Sequence, residues 1–343
     1  MGTNSDKTTK YPFEANNMHN YLHEKMPGDI ANYCSGAMLK TGYENIDCIT
    51  NLYPGLYVIG AITSLGKTTF IHQMGDQIAK AGNPVLFFSL EQSTLELASK
   101  SIARIMAIQN RDHALTSLQV RKCKDMSVIA DAISEYDEYA ENMHIVECNF
   151  QATITDIENY VIGFMKQFNK KPVVVVDYLQ VIRAENTNMS SKDIVDTNVR
   201  RLKKLQSDNK LVLIVISSLN RANYLNTIDY ESFKETGGIE YSADVVWGLE
   251  LEVLHTKEFD KATKLNEKRT KVKEAKAAPI RKIEFICLKN RFGVSSYSCK
   301  FDYLPHHDLF IPNMSVVDDS LLSSRADRDG FSRLPDGMKA PFS

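Results

Sequence analysis

Eight residues constrain this chain more than any others: Ala61-Ile62-Thr63-Ser64-Leu65-Gly66-Lys67-Thr68, set between an apolar run at Leu56–Gly60 and a stretch of helical apolar spacing from Lys67. A loop that cradles phosphate needs inward-turned backbone N–H groups, a helix N-terminus aimed at the anion, a lysine for the β- and γ-phosphates and a hydroxyl for magnesium. Gly66, Lys67 and Thr68 meet the last three needs, and Ser64 and Thr69 belong to the same segment. The first position of the G-x-x-x-x-G-K-[ST] pattern is Ala61, with Gly60 immediately before it. The strand-loop-helix context therefore carries the assignment more than the letters do.

From Thr41 onward, short apolar runs alternate with amphipathic helical stretches, the pattern of βαβ units around a parallel sheet. The runs Leu56–Gly60, Pro84–Leu90, His144–Cys148, Val173–Asp177 and Leu211–Ser217 are expected strands. Helices are expected at Lys67–Lys80, Thr94–Ile108, Leu118–Asn142, Asp156–Asn169 with a Thr155…Glu158 capping box, and Lys192–Ser207. Near the end, Lys282–Lys289 and Ser296–Tyr303 flank Asn290-Arg291-Phe292-Gly293, which predicts a hairpin closing the sheet. The fold class is thus α/β, a doubly wound and mainly parallel sheet with a C-terminal β-hairpin.

In such a sheet the ligand lies beyond the carboxyl ends of the strands. Val173-Val174-Val175-Val176-Asp177 ends there in an acid. Alone, Asp177 is an ordinary turn residue; paired with the loop at Lys67 it makes a nucleotide site in which Asp177 and Thr68 hold the magnesium shell. Hydrolysis also needs a group to orient the attacking water, and Glu91, just past Pro84–Leu90 on the same edge, has the position for it. The competing role for Glu91 is to favour the macrodipole of the next helix.

Composition narrows the class. The 343 residues suit one large α/β domain plus appendages, with 41 Lys and Arg against 43 Asp and Glu and a net charge of −2. That balance lacks the basic excess of a domain bound all over to nucleic acid, so any contact with DNA must be local. No apolar stretch approaches the ~20 residues of a membrane span, and the N-terminus has no apolar signal core, which implies a cytoplasmic protein with no membrane partner. Cys34, Cys48, Cys123, Cys148, Cys287 and Cys299 are scattered without a C-x-x-C pair and are expected as reduced, mostly buried thiols. Residues 1–40 form an arm with a short helix near Glu14–Lys25 ending at Pro27-Gly28, residues 41–312 the main domain, and residues 313–343 a tail without periodicity, expected to be disordered. Lys257–Lys276 holds eight basic residues beside four acids and is expected as a solvated helix or loop, with contact to DNA or a neighbouring subunit as the alternative.

These segments, in this order, resemble the C-terminal RecA-like motor domain of DnaB-type replicative helicases. Thr41-Gly42-Tyr43…Asp47 with Pro54-Gly55 is similar to the family's opening segment, and the family's phosphate loop also often begins with Ala, as at Ala61. Phe87-Phe88-Ser89-Leu90-Glu91 resembles its F-S-L-E segment, which implies that Glu91 activates water. Val174–Asp177 with Tyr178-Leu179-Gln180 resembles V-V-D-Y-L-Q, which implies a γ-phosphate sensor at Gln180. Leu219-Asn220-Arg221 matches L-N-R, with Ser218 where the family usually has Gln. Lys234-Glu235-Thr236-Gly237-Gly238-Ile239-Glu240 followed by Ala243-Asp244-Val245-Val246 looks like the family's pore loop. The resemblance implies DNA contact at Lys234, Glu235 and Gly237, with an ordinary glycine-rich surface loop as the alternative. Lys289-Asn290-Arg291 resembles the K-x-R hairpin whose two cations reach the neighbouring subunit's ATP site.

The resemblance, over about Thr41 to Tyr303, implies an ATP hydrolase using ATP and Mg²⁺, a hexameric ring on single-stranded DNA, and a primase or loader as possible partner. Two departures are the family's N-terminal helical domain, for which forty residues are too few, and the long Lys257–Lys276 stretch. Both point to a phage, plasmid or mobile-element relative. Two alternatives stay open. Lys289-Asn290-Arg291-Phe292-Gly293 is also similar to a segment of RadA-class recombination ATPases, although the cysteines and short tail fit neither that class's zinc module nor its protease-like domain. The other is an accessory RecA-like ATPase that does not unwind DNA.

Overall fold

The computed structural model describes residues 17–35, 39–148, 152–184, 189–220, 224–233 and 237–314. The chain divides into two compact units, Met1–Leu39 and Lys40–Ser343. In the first, α1 (Met18–Asn20) leads through a π-helical turn, Tyr21–Lys25, into α2 (Met26–Ser35). The helix thus passes Pro27 and Gly28, where the sequence suggests a stop. The wider turn, with Met26 N–H bonded to Tyr21 O, absorbs the bond that a proline cannot make.

The second unit begins with the short helix α3 (Glu44–Asp47) and β1 (Gly55–Ala61). It continues with α4 (Lys67–Lys80), β2 (Val85–Ser89), α5 (Thr94–Gln109), α6 (Ser117–Arg121), α7 (Ala130–Ala140), β3 (Met143–Glu147), α8 (Ile154–Phe168) and β4 (Val173–Asp177). Then come α9 (Ser191–Asn209), β5 (Val212–Ser218), α10 (Gly237–Ser242), β6 (Val245–Leu251), α11 (Lys257–Asp260), α12 (Leu265–Ala277), β7 (Arg281–Asn290), β8 (Ser298–Leu304) and β9 (Leu309–Asn313). They form one nine-stranded sheet in the order β3-β2-β4-β5-β1-β6-β7-β8-β9. Strands β1 to β6 run parallel and β7 to β9 antiparallel.

The burial explains the strand composition. Every residue of β1, β2, β4 and β6 is buried, as expected where helices cover both faces of a parallel sheet, and so their sequences are apolar apart from Ser89 and Asp177 at two strand ends and Glu250 in β6. In β8 only Cys299, Phe301 and Tyr303 alternate inward before the last residue, the period of a strand with one wet face. Phe70 of α4 stacks on Tyr43 with centroids 4.5 Å apart and meets Phe301 and Phe310 edge-on, which fastens the phosphate-loop helix to the antiparallel side.

Several details depart from the sequence expectations. The Leu118–Asn142 helix is broken, because the Asp125 carboxylate accepts from the Ser127 N–H at 3.0 Å and starts a new turn. The capping box of α8 is Thr153 with Asp156, while Thr155 and Glu158 instead bind Arg201 of α9. Strands β6 and β9 are additional. Among the described cysteines only Cys287 and Cys299 are buried, and Cys48, Cys123 and Cys148 are half-buried; all five are free thiols. Lys257–Lys276 forms α11 and most of α12, joined by a non-helical link at residues 261–264, with Phe259 and Val272 buried on the two helices. The tail lies, from residue 315, outside the described residues. No described helix is long and apolar enough to cross a membrane.

Candidate nucleotide site

The phosphate loop joins β1 to α4. Ala61 ends β1, paired on either side with Ser218 and Leu249. A Cβ on Gly60 would lie 2.6 Å from the side chains of Leu219 and Phe233, so the glycine just ahead of the loop answers to packing. Ser64 (φ 69°) and Gly66 (φ 85°) are both left-handed. Such alternation turns successive N–H groups to one side and forms an anion-binding concavity. At Gly66 a side chain is barred a second time, since a Cβ would sit 2.9 Å from the Tyr303 ring.

Lys67 opens α4, and its Nζ donates to Ala61 O at 3.1 Å, folded back across the loop. Burial lowers its pKa, while Asp177 and Glu91 oppose the shift. Asp177, at the end of β4, is 1% exposed. Burial pushes its carboxyl up to about 6; the Thr68 hydroxyl bonded to it and the charges of Lys67 and Lys100 pull the other way, whereas Glu91 adds to the rise. Asp177 Oδ2 is buried with no hydrogen-bond partner. An orphaned carboxylate oxygen beside a threonine hydroxyl is a donor set fitted to a hard divalent cation. Among the described residues no cluster of three or more His, Cys, Asp or Glu could hold a metal ion, so a cation here would need phosphate oxygens or water to complete its shell.

Glu91 follows β2 on the same edge, and the Tyr178 hydroxyl is hydrogen-bonded to it; burial first, and then Glu91, raise the Tyr178 pKa. Gln180 spans to the end of β5, its Nε2 donating to Ser217 Oγ at 2.9 Å and its Oε1 accepting from Ser218 N–H at 3.2 Å. Thr69 does not offer its hydroxyl to the loop, because that group donates to Asp308 Oδ1 at 3.0 Å and accepts from Lys100 at 3.1 Å. Lys100 and Tyr178 were not singled out by the sequence; Lys100 sits on α5 seven residues past its Ser93 cap, where only the fold brings it near Asp177.

Lys289 and Arg291 lie elsewhere. Lys289 pairs with Val246, which pairs with Val58, three residues before the end of β1, so it sits roughly 10 Å below the loop's edge. Arg291 is lower still, beyond the span of either side chain to the loop of its own chain. Lys289 Nζ donates to Glu240 O at 2.6 Å, and Arg291 donates to Asp244 Oδ1 at 3.1 Å. Lys234 and Glu235 lie outside the described residues; Gly237 opens α10, where the next residue, Gly238, donates its N–H to Asp196 Oδ1.

Known proteins carry the same organisation. The family model described as DnaB-like helicase C terminal domain matches residues 38–310. The replicative DNA helicase DnaB of Leifsonia xyli subsp. xyli is 27% identical over 233 residues, 65% of this chain and 48% of its own length. That of Pasteurella multocida is 26% identical over 216 residues, 61% of this chain and 45% of its own length. The chain thus spans about half the length of the curated relatives it matches. Among solved structures, one described as an ATPase domain superposes with TM-score 0.66 at 18% identity, over 83% of this chain and 95% of that one. A DnaB-like replicative helicase, described with its interactions with primase, gives TM-score 0.67 at 19% identity over 86% and 69% of the two chains. These likenesses establish the RecA-like fold, and the family model settles the rest: this chain belongs to the DnaB-like helicase C-terminal domain family.

Proposed function

We propose that the chain is an ATP-hydrolysing motor that moves along single-stranded DNA as a hexameric ring, of the phage, plasmid or mobile-element kind that the inserted Lys257–Lys276 stretch suggests. One observation carries the reading: Lys67, Thr68, Glu91 and Asp177 converge at one sheet edge, and Asp177 Oδ2 is left unpartnered there. ATP would lie on the backbone N–H groups of residues 61–69, with Lys67 against its outer phosphates. Magnesium held by Thr68 and Asp177 would spread the charge of the phosphoryl oxygens. Glu91, steadied by Tyr178, would orient the water, and Gln180 would sense the γ-phosphate and pass its state to β5. Lys289 and Arg291 would serve the neighbouring subunit's site, where a cation stabilises charge growing on the transferred group. Lys234, Glu235 and Gly237 would hold the DNA backbone in the pore, and a primase or loader would dock on the ring; a cytoplasmic setting follows from that work.

The test is ATP turnover with and without single-stranded DNA, beside mass photometry in nucleotide. Strong stimulation in a ring of about six subunits supports the motor, and binding of single strands should weaken as salt rises because phosphate contacts release counterions. Turnover indifferent to DNA, or a monomer in every nucleotide state, would point instead to an accessory ATPase. Lys67→Ala should abolish turnover, and DNA-stimulated hydrolysis surviving that change would sink the site.

A further inference from the structure

The lysine-rich stretch that the sequence leaves without a role ends on the phosphate loop. Lys276, in the last turn of α12, donates from Nζ to Thr63 O at 3.2 Å. Arg281, the first residue of β7, donates from Nη1 to Ser64 O at 2.7 Å. Each cation lies over one aromatic ring. Lys276 lies 5.3 Å from the centre of the Tyr224 ring, whose hydroxyl meets Thr63 Oγ1 at 3.1 Å. Arg281 lies 5.7 Å from that of Tyr303, the ring beneath Gly66. The Arg281 Nε is buried without a hydrogen-bond partner, an unspent donor beside an anion site.

Peptide geometry gives these two bonds their meaning. In a trans peptide the carbonyl of one residue and the N–H of the next point in opposite directions. Among the described residues the peptide after Asp177 is the one that is cis, so those after Thr63 and Ser64 are trans. Drawing the Thr63 carbonyl toward Lys276 turns the Ser64 N–H the other way, and drawing the Ser64 carbonyl toward Arg281 does the same for the Leu65 N–H. Ser64 is held left-handed without being glycine, so this stretch of loop needs outside support to keep its shape.

We infer that the end of α12 and the start of β7 brace the nucleotide loop: Lys276 and Arg281 grip the Thr63 and Ser64 carbonyls from outside and so hold the Ser64 and Leu65 amides toward the phosphates. They are positioning residues, and α11 and α12 supply the anchorage through buried Phe259 and Val272, with Lys268 packed 4.9 Å from the Phe259 ring centre. The inference rests on the reading of residues 61–68 as the nucleotide loop.

The test is titration of the full chain with a fluorescent ATP analogue in Mg²⁺, together with melting midpoints with and without ATP. The double variant K276Q/R281Q should weaken binding about tenfold and raise KM more than it lowers kcat, since two charge-assisted bonds are lost. Its nucleotide-free midpoint should stay with the wild type while the upward shift given by ATP shrinks. Lys276→Arg, which still donates to a carbonyl, should keep the wild-type affinity. Unchanged affinity in the double variant overturns the brace, and so does an equal fall of the midpoint with and without ATP, the mark of a fold prop alone. Lys67→Ala separates the two levels: if it binds ATP like the wild type the loop assignment fails, and if it loses ATP while the double variant does not, only the brace fails.

Discussion

The two edges of the central sheet are built on opposite electrostatic plans. At the carboxyl edge, Asp177 is buried with an unpartnered oxygen and a carboxyl raised to about 6, and Lys67 is drawn down by burial. Removing such groups from water costs free energy that only a ligand or counter-charge returns. At the other edge the two cations are partnered within the chain: Lys289 on the Glu240 carbonyl, Arg291 on the Asp244 carboxylate. One edge is strained until it is filled, and the other is satisfied until it is pulled away. If, as proposed, Lys289 and Arg291 form the second half of the catalytic site, a chain carrying the two halves on opposite edges would complete one only with a second copy.

The largest effects should come from breaking either half. Glu91→Gln and Arg291→Ala should each lower turnover by about 10³-fold, judged by what a water-orienting group or a trans cation contributes elsewhere. Mixing the two inactive proteins should return measurable hydrolysis, because a contact between an Arg291→Ala subunit's Glu91 and a Glu91→Gln subunit's Arg291 is intact. No recovery in mixed rings, with mixing shown by mass photometry of tagged subunits, would mean that both residues act in the same copy.

A smaller effect distinguishes the strained edge by pH. The Asp177 carboxyl is raised from an ordinary 3.8 to about 6, so the folded, ligand-free chain holds that proton more tightly than the unfolded one. Its share of stability is therefore greatest below about pH 4, falls as the pH rises toward 6, and is then flat, a cost on the order of 2 to 3 kcal/mol at neutral pH. Asp177→Asn should raise the ligand-free melting midpoint at pH 7 and flatten its dependence between pH 4 and 6, while removing the extra stabilisation by Mg²⁺ and ATP together. Parallel curves for the variant and the wild type would show that the carboxylate is not desolvated as described.

The strained edge was also the legible one. Phosphate binding demands fixed residue types at fixed spacing, and buried parallel strands write themselves as apolar runs, so β1, β2, β4 and β5, and with them Lys67, Thr68, Glu91 and Asp177, stand out in the sequence. What escaped depends on contacts across long separations. Glu250 breaks the apolar run of β6, yet it is buried because Ile228 N–H and His255 bind it. Pro312 argues against a strand, yet β9 lies at the sheet edge, where a missing N–H costs little. Lys276 and Arg281 look like any surface cations until the fold lays them on Thr63 and Ser64, some 213 and 217 residues away. Thr69 is the reverse case, a residue of the loop pattern whose hydroxyl the fold commits to Asp308.

The smallest effect concerns what it takes to free the satisfied edge. Asp244 is 5% exposed, but Arg291 is one of three partners, since the Leu56 N–H donates to Asp244 Oδ2 at 2.8 Å and Lys203 bonds the same oxygen. The Arg291 side chain is itself half exposed, at 51%. Losing it leaves the carboxylate paired and hydrogen-bonded, so Arg291→Ala should cost less than about 1 kcal/mol in urea unfolding, as for other well-hydrated ion pairs. Asp244→Ala should cost several times more, because it strips Lys203, Leu56 N–H and Arg291 together. A near-neutral Arg291→Ala would mean that a neighbouring subunit's phosphates can draw the arginine off Asp244 at little expense to the fold. A loss as large as that of Asp244→Ala would make the arginine a structural strut, and the division of labour between the two edges would not hold.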